Sequence, residues 1–318
     1  AIARVANDML RRVNDDTEAD VMEIYHESVK QLTEVEIPSN RATTKKRIAE
    51  FVNEREELWN NPAKENGLSW GISAFDHAFG LIKPRNFGMI VAQAKGGKSL
   101  LLAHLMRNWS RMNKRVLMLT FEMIDFEVLE RLEGIETGFN FDEARLSNRN
   151  EKAWADLNKA WGDIYKYPLV IDDTPATLES IPTKIRQAER ELGGKIDIVI
   201  VDYPALLTPT EANRRQAYWE RMNDISVGLK RLTSSEDVII VGAGQLNRKG
   251  FGAEIPTMDE VGGTVGNVQN PNWIVTLSPT DEENPNLFAV HLLAHRSHPA
   301  GRTIQMVRSG LRIGVREG

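Results

Sequence analysis

The chain has 318 residues, 41% of them apolar and 27% charged, with a formal net charge of −5 and no cysteine. Disulfides and thiolate zinc sites are excluded, a reducing compartment fits, and any nucleic-acid contact must come from a local basic patch rather than the overall field. No run approaches the roughly 20 apolar residues that span a bilayer, and the N-terminus has no apolar signal core. The length suits one large α/β domain with a smaller appendage. The first residue is Ala1, as in a processed chain or a piece of a longer one.

Residues 1–66 read as a small helical segment. Ile2, Val5, Met9 and Leu10 fall at helical spacing, and so do Val21, Ile24, Tyr25, Val29 and Leu32. Pro38-Ser39-Asn40 breaks the pattern, and a highly charged third helix is predicted from about Thr43 to Trp59. Asn60-Asn61-Pro62 and Glu65-Asn66-Gly67 follow as a polar linker. Helices this short bury little alone, so they serve either as a cap on the main domain or as an oligomerisation arm.

Residues 67–318 carry an α/β pattern. Strands are predicted at Met89–Val91, Arg115–Phe121, Tyr167–Ile171, Ile196–Val201, Val238–Val241, Trp273–Leu277 and Leu287–Ala294, with helices at Glu127–Glu133, Ile181–Glu191 and Trp219–Leu232. Apolar strands alternating with helices imply a central, mostly parallel sheet covered on both faces. Thr303–Val307 and Leu311–Val315, around Ser309-Gly310, read as a terminal hairpin.

The first of these strands ends in Ala92-Gln93-Ala94-Lys95-Gly96-Gly97-Lys98-Ser99, and an apolar helix starts with Leu100. Strand, small-residue loop, Gly-Lys-Ser and helix together make a phosphate-binding loop. Its backbone N–H groups converge on the β-phosphate, Lys98 neutralises β/γ oxygens, and the Ser99 hydroxyl ligates Mg²⁺. The first loop position is Ala92 where the common pattern has Gly, which the backbone accepts if φ stays negative there. A plain glycine turn before a buried helix is the alternative, and the flanking strand and helix argue against it.

Asp202 ends the strand Ile196–Val201 at the edge where parallel sheets bind ligands, placed to hold Mg²⁺ through water; otherwise it caps the next turn. Glu122 follows another strand at that edge. It could orient the water that attacks the γ-phosphate, or be a surface charge at a helix start, and spacing leaves both open. Gln245 follows a third strand as a candidate γ-phosphate sensor, with a simple turn equally compatible. Arg296 could stabilise transition-state charge in its own site or a neighbour's, although spacing alone favours a surface salt bridge. His291, His295 and His298 lie close together, and core or solvated histidines suit them better than zinc. Two segments could reach nucleic acid: one with Arg214 and Arg215, the other with Arg248, Lys249 and the glycines Gly262 and Gly263. Flexible polar loops without that role are the alternative.

Together these segments resemble the RecA-like motor domain of DnaB-type hexameric replicative helicases over roughly residues 67–318. Gly71-Ile72-Ser73-Ala74-Phe75-Asp76 is similar to the family's approach to the phosphate loop, and those helicases commonly have Ala at the first loop position. Leu119-Thr120-Phe121-Glu122-Met123, Val201-Asp202-Tyr203, Gly244-Gln245-Leu246-Asn247-Arg248 and Ala294-His295-Arg296-Ser297-His298-Pro299-Ala300-Gly301 match its later motifs in order. The resemblance implies that Glu122 is the catalytic glutamate, that Gln245 senses the γ-phosphate and that Arg296 is an arginine finger acting on the next subunit. It implies ATP and Mg²⁺ at subunit interfaces, a homo-oligomeric ring of six and single-stranded DNA as the track. Primase or a helicase loader would be partners, in the cytoplasm of a bacterial or phage-infected cell. The sequence departs from the family at Ala294, where a lysine is usual, at Asn272, where an acid is usual, and in Met258–Gly266, which has no arginine. A RecA/KaiC-like ATPase serving recombination or regulation without unwinding is the alternative reading.

Overall fold

A computed structural model of the chain describes residues 44–61, 67–139, 141–142, 145, 151–209, 216–247, 253, 255–261, 269–281, 284 and 286–316. The chain divides into two units, Ala1–Glu65 and Asn66–Gly318. In the first, helix α1 spans Thr44–Asn60, and the Arg55 guanidinium sits 5.0 Å from the centre of the Phe51 ring. Ile48, Phe51 and Trp59 are exposed on it. The two helices expected before residue 40 lie outside the described residues.

The second unit is built on a nine-stranded sheet. Its strands are β1 (Phe87–Ala92), β2 (Val116–Thr120), β3 (Leu169–Asp172), β4 (Ile198–Asp202), β5 (Ile239–Gln245), β6 (Trp273–Pro279), β7 (Leu287–His295), β8 (Arg302–Ser309) and β9 (Arg312–Val315), in the order β3-β2-β4-β5-β1-β6-β7-β8-β9. From β3 to β6 neighbours are parallel; from β6 to β9 they are antiparallel. The expected parallel sheet is present, and its last expected strand, β7, joins it antiparallel.

The helices are α2 (Ser73–Phe79), α3 (Lys98–Arg111), α4 (Asp125–Thr137), α5 (Glu151–Ile164), α6 (Ile181–Glu191) and α7 (Tyr218–Ser235). Alternate strand residues serve two different layers, because successive side chains leave opposite faces of a sheet. Ile90, Ile198 and Ile200 pack with Leu101, Leu105 and Trp109 of α3 and Phe75 and Phe79 of α2. Met89, Val91, Val199 and Val201 pack with Ile185 of α6 and Met222 and Leu229 of α7. With both faces covered, the central strands carry unbroken apolar runs.

An aromatic corner closes the first layer. Trp70 meets Trp273 edge-on at 4.8 Å, and its indole N–H donates to Gly80 O at 2.9 Å. Gly88 lies under the Trp273 ring, where a Cβ would come within 1.9 Å of ring carbon. That close approach requires glycine.

Candidate functional site

The site forms where β1 gives way to α3. Gly97, the residue before α3, is left-handed with φ 86°, and Lys95 also takes a positive φ of 60°. The Gly96 N–H donates to Gln93 O at 2.9 Å and closes the turn. Ala92 is the last residue of β1, paired with Gln245 and Leu277, buried, and free of positive φ. Its methyl group is therefore accommodated by ordinary strand geometry, which is why glycine is not needed at that position. Residues 92–100 line a cavity of about 250 Å³.

Adjacent strands deliver the other groups. Thr120 at the end of β2 lies opposite Asp202 at the end of β4, and the Glu122 side chain follows two residues later, so both carboxylates reach the same sheet edge. Lys98 Nζ sits between them, 3.0 Å from Asp202 Oδ1 and 3.8 Å from Glu122 Oε2. The ammonium also lies 5.0 Å from the centre of the Tyr203 ring. Burial first, and the nearby Glu122 carboxylate next, raise the Tyr203 phenol above its ordinary value and keep that ring neutral. Ser99 donates its hydroxyl to Asp202 Oδ2 at 3.5 Å. Asp202 is fully buried, and its Oδ1 makes no hydrogen bond. The 3.0 Å approach of Lys98 is thus an ion pair at an angle unsuited to hydrogen bonding, and the oxygen stays available to a further donor. A hydroxyl beside a buried carboxylate is a hard-oxygen donor set of the kind Mg²⁺ takes. Gln245 ends β5, opposite Ala92, and also faces the cavity.

The structure therefore brings Lys98, Ser99, Glu122, Asp202 and Gln245 to one place. Arg296 lies elsewhere: it is exposed and absent from this cavity's lining. Its guanidinium donates to the backbone carbonyls of Gln269 at 2.8 Å, Pro271 at 3.3 Å and Asn270 at 3.4 Å, so it makes no surface salt bridge among the described residues. The neighbouring Asn272 uses one side-chain oxygen to accept the Phe87 N–H at 2.9 Å and the Lys230 ammonium. Burial first, and Arg296 second, lower Lys230 from its ordinary value. Arg214, Arg215, Arg248, Lys249, Gly262 and Gly263, the candidate nucleic-acid contacts, lie outside the described residues.

The histidines have local partners. His291 is buried between the Ser278 hydroxyl at 2.7 Å and the Thr303 hydroxyl at 2.8 Å. His295 accepts from the backbone N–H groups of Ser297 and His298. Burial first, then His298 and Lys83, lower His295 to about 4.

Three lining residues carry no sequence signal: Arg131 on α4, and Arg308 and Leu311 on the β8–β9 hairpin. Nothing in their spacing marks the site, because tertiary packing alone brings them there.

Comparison with known proteins agrees with this architecture. The family model for the DnaB-like helicase C-terminal domain matches residues 67–254. The replicative DNA helicase DnaB of Treponema pallidum (strain Nichols) is 24% identical over 286 residues, covering 88% of this chain and 63% of the relative, so the chain spans under two thirds of that protein's length. Among solved structures, the ATPase domain of a phage protein superposes with a TM-score of 0.77 at 23% identity, covering 87% of this chain and all of that one. A DnaB-like replicative helicase, solved in a study of its interactions with primase, superposes with a TM-score of 0.78 at 23% identity, covering 98% of this chain and 75% of that one. The family match covers more than half of the sequence and includes the phosphate loop, both carboxylates and Gln245: the chain belongs to the DnaB-like helicase C-terminal domain family.

Proposed function

We propose that this protein is an ATP-dependent DNA helicase motor that assembles as a ring and moves on single-stranded DNA. Residues 67–318 are the motor, and residues 1–66 are a helical segment leading into it. The observation that carries the reading is Lys98 held between Asp202 and Glu122 at the phosphate loop. A cation, a buried carboxylate and an accessible carboxylate within one ion-pair radius are the parts that triphosphate hydrolysis needs.

In this reading the loop amides and Lys98 grip the β- and γ-phosphates. Ser99 and Asp202 would hold Mg²⁺, which when bound would neutralise charge on the phosphate oxygens. Glu122, more than half exposed and facing the cavity, accepts a proton from the attacking water. Gln245 contacts the γ-phosphate and passes its loss to the segment after β5. Arg296 of a neighbouring subunit completes the charge stabilisation, which fits its position outside its own chain's cavity. Arg214, Arg215, Arg248, Lys249 and the Gly262-Gly263 segment contact DNA. The same reading carries a ring of six, primase or a loader as partners, and a cytoplasmic setting in a bacterial or phage-infected cell.

The test is ATP turnover with and without single-stranded DNA, together with strand separation on a forked duplex. Wild-type protein should hydrolyse ATP faster with DNA and separate the fork. Turnover on DNA without any separation would leave an ATPase and remove the helicase.

A further inference from the structure

The end of the sheet far from the phosphate loop holds two cations that the fold leaves without an anion. β1 and β6 run in register from Gly88 beside Trp273 to Ala92 beside Leu277. Trp273 in turn lies opposite His295. Asn272 and Arg296 therefore sit at the start of β1, four residue steps of about 3.3 Å each from Ala92 and the loop that follows it. Helix α7 reaches the same end. Its Lys230 donates to Asn272 Oδ1, the oxygen that also accepts the Phe87 N–H at 2.9 Å.

The acceptors these two groups use are neutral. Arg296 is held by the main-chain carbonyls of Gln269, Asn270 and Pro271, and Lys230 by a carboxamide. Among the described residues neither cation forms an ion pair. Lys230 is half-buried and lies close enough to Arg296 for that charge to add to burial in lowering its pKa, as befits like charges with no counter-ion between them. A carboxylate at position 272 would cancel the lysine, whereas the asparagine aims it and leaves it charged. An anion brought from outside would relieve the pair. Its chemistry follows from the two groups: a guanidinium fork takes two oxygens, and an ammonium is a point charge for a third. A terminal phosphate presents three oxygens over which charge spreads during transfer. This chain's own triphosphate would lie at the opposite end of β1, so the phosphate must come from another copy.

We propose that Lys230 joins Arg296 in a two-cation receiver for the γ-phosphate that a neighbouring copy presents. The inference rests on the reading that Arg296 serves a neighbouring subunit. Asn272 sets the charge of the receiver, because the residue type at that position decides whether Lys230 is neutralised at home.

The test is DNA-stimulated ATP turnover, with thermal melting, of the full chain. Lys230→Met keeps the apolar stem and removes the charge, and should lower turnover by roughly tenfold or more. Lys230→Arg restores the charge and should recover most of that loss. Asn272→Asp gives Lys230 a counter-ion at home, and should lower turnover by roughly threefold or more while melting no earlier than the wild type. If the lysine only fastened Asn272, the carboxylate would fasten it better and turnover would hold, which would overturn the proposal. Turnover of Lys230→Met within about twofold of the wild type, or no recovery in Lys230→Arg, would overturn it equally. Mixing separates this inference from the reading beneath it. Lys230→Met mixed with Lys98→Ala subunits should exceed the average of the two alone, as should Arg296→Ala mixed with Lys98→Ala. Rescue of the second mixture only would strike Lys230 alone; rescue of neither would remove the neighbour's site and the receiver with it.

Discussion

Asp202 Oδ1 and Lys98 Nζ stand 3.0 Å apart, yet the oxygen is fully buried and makes no hydrogen bond. A buried carboxylate with a free lone pair is held ready for a cation, and Lys98 is the counter-charge that makes its burial tolerable. Replacing Lys98 therefore acts twice. Lys98→Ala should lower ATP turnover by roughly a hundredfold or more and, by orphaning Asp202, destabilise the nucleotide-free protein by about 3 kcal/mol. Steady-state hydrolysis and thermal melting read the two effects; a variant with unchanged turnover removes Lys98 from the site.

Glu122→Gln keeps the shape and removes the proposed base. Nucleotide should still bind, because the loop amides and Lys98 are intact, while turnover drops by about a hundredfold or more, the scale of general-base catalysis. Binding and turnover measured on the same preparation separate the two. Loss of binding in step with turnover would make Glu122 a ligand contact and not a base.

Arg296→Ala should bind nucleotide normally and lose DNA-stimulated turnover. If the arginine serves a neighbour, then mixing Lys98→Ala with Arg296→Ala subunits rebuilds some sites that have both wild-type groups. Turnover in the mixture should exceed the average of the two variants alone. A mixture no more active than that average places Arg296 outside the neighbour's chemistry.

His104 is buried against the hairpin, and burial, its largest influence, holds it near 4 against an ordinary 6.5, with Arg107 and Arg312 adding to the shift and the Leu311 carbonyl opposing it. The folded chain thus binds this proton more weakly than the unfolded one. The stabilisation is fully present above pH 6.5 and is lost progressively as the pH falls toward 4, by about 3 kcal/mol at most. His295 is shifted in the same direction. Melting temperatures between about pH 7.5 and 4.5 should fall less steeply in His104→Gln than in the wild type. Parallel slopes would show that His104 carries none of this dependence.

Gly88→Ala should be poorly tolerated, since its methyl group would press on the rigid Trp273 ring. Overpacking of this kind costs about 1–3 kcal/mol, or several degrees of melting temperature. An unchanged melt would mean the aromatic corner can shift.

Much of the fold is legible before any coordinates because the central strands are buried on both faces. Val116–Thr120 and Ile198–Asp202 have no polar alternation to misread, and Gly96-Gly97-Lys98-Ser99 is local chemistry. Helix α5 is absent from the predicted elements although Trp154, Leu157 and Trp161 fall at helical spacing on it; it buries Leu157 and Ala160. The antiparallel pairing of β7 follows from the short connection after β6, which holds no helix and is too brief for a parallel crossover, and not from the apolar run of β7 itself. Spacing also leaves Glu122 and Gln245 open, because only the sheet order brings the end of β2 within reach of Lys98 and sets β5 against β1. The hairpin's part in the cavity is invisible for a further reason: Ile313 and His104 meet across 209 positions, and no period spans such a distance.

Arg296 rests folded back on its own main chain, its guanidinium shared among three carbonyls. Drawing it outward means giving up those contacts, of which only the 2.8 Å bond to Gln269 O is short. If Arg296 serves a neighbouring copy, as proposed, its reach is gated at home: the side chain must unfasten from its own backbone before it can cross to another molecule.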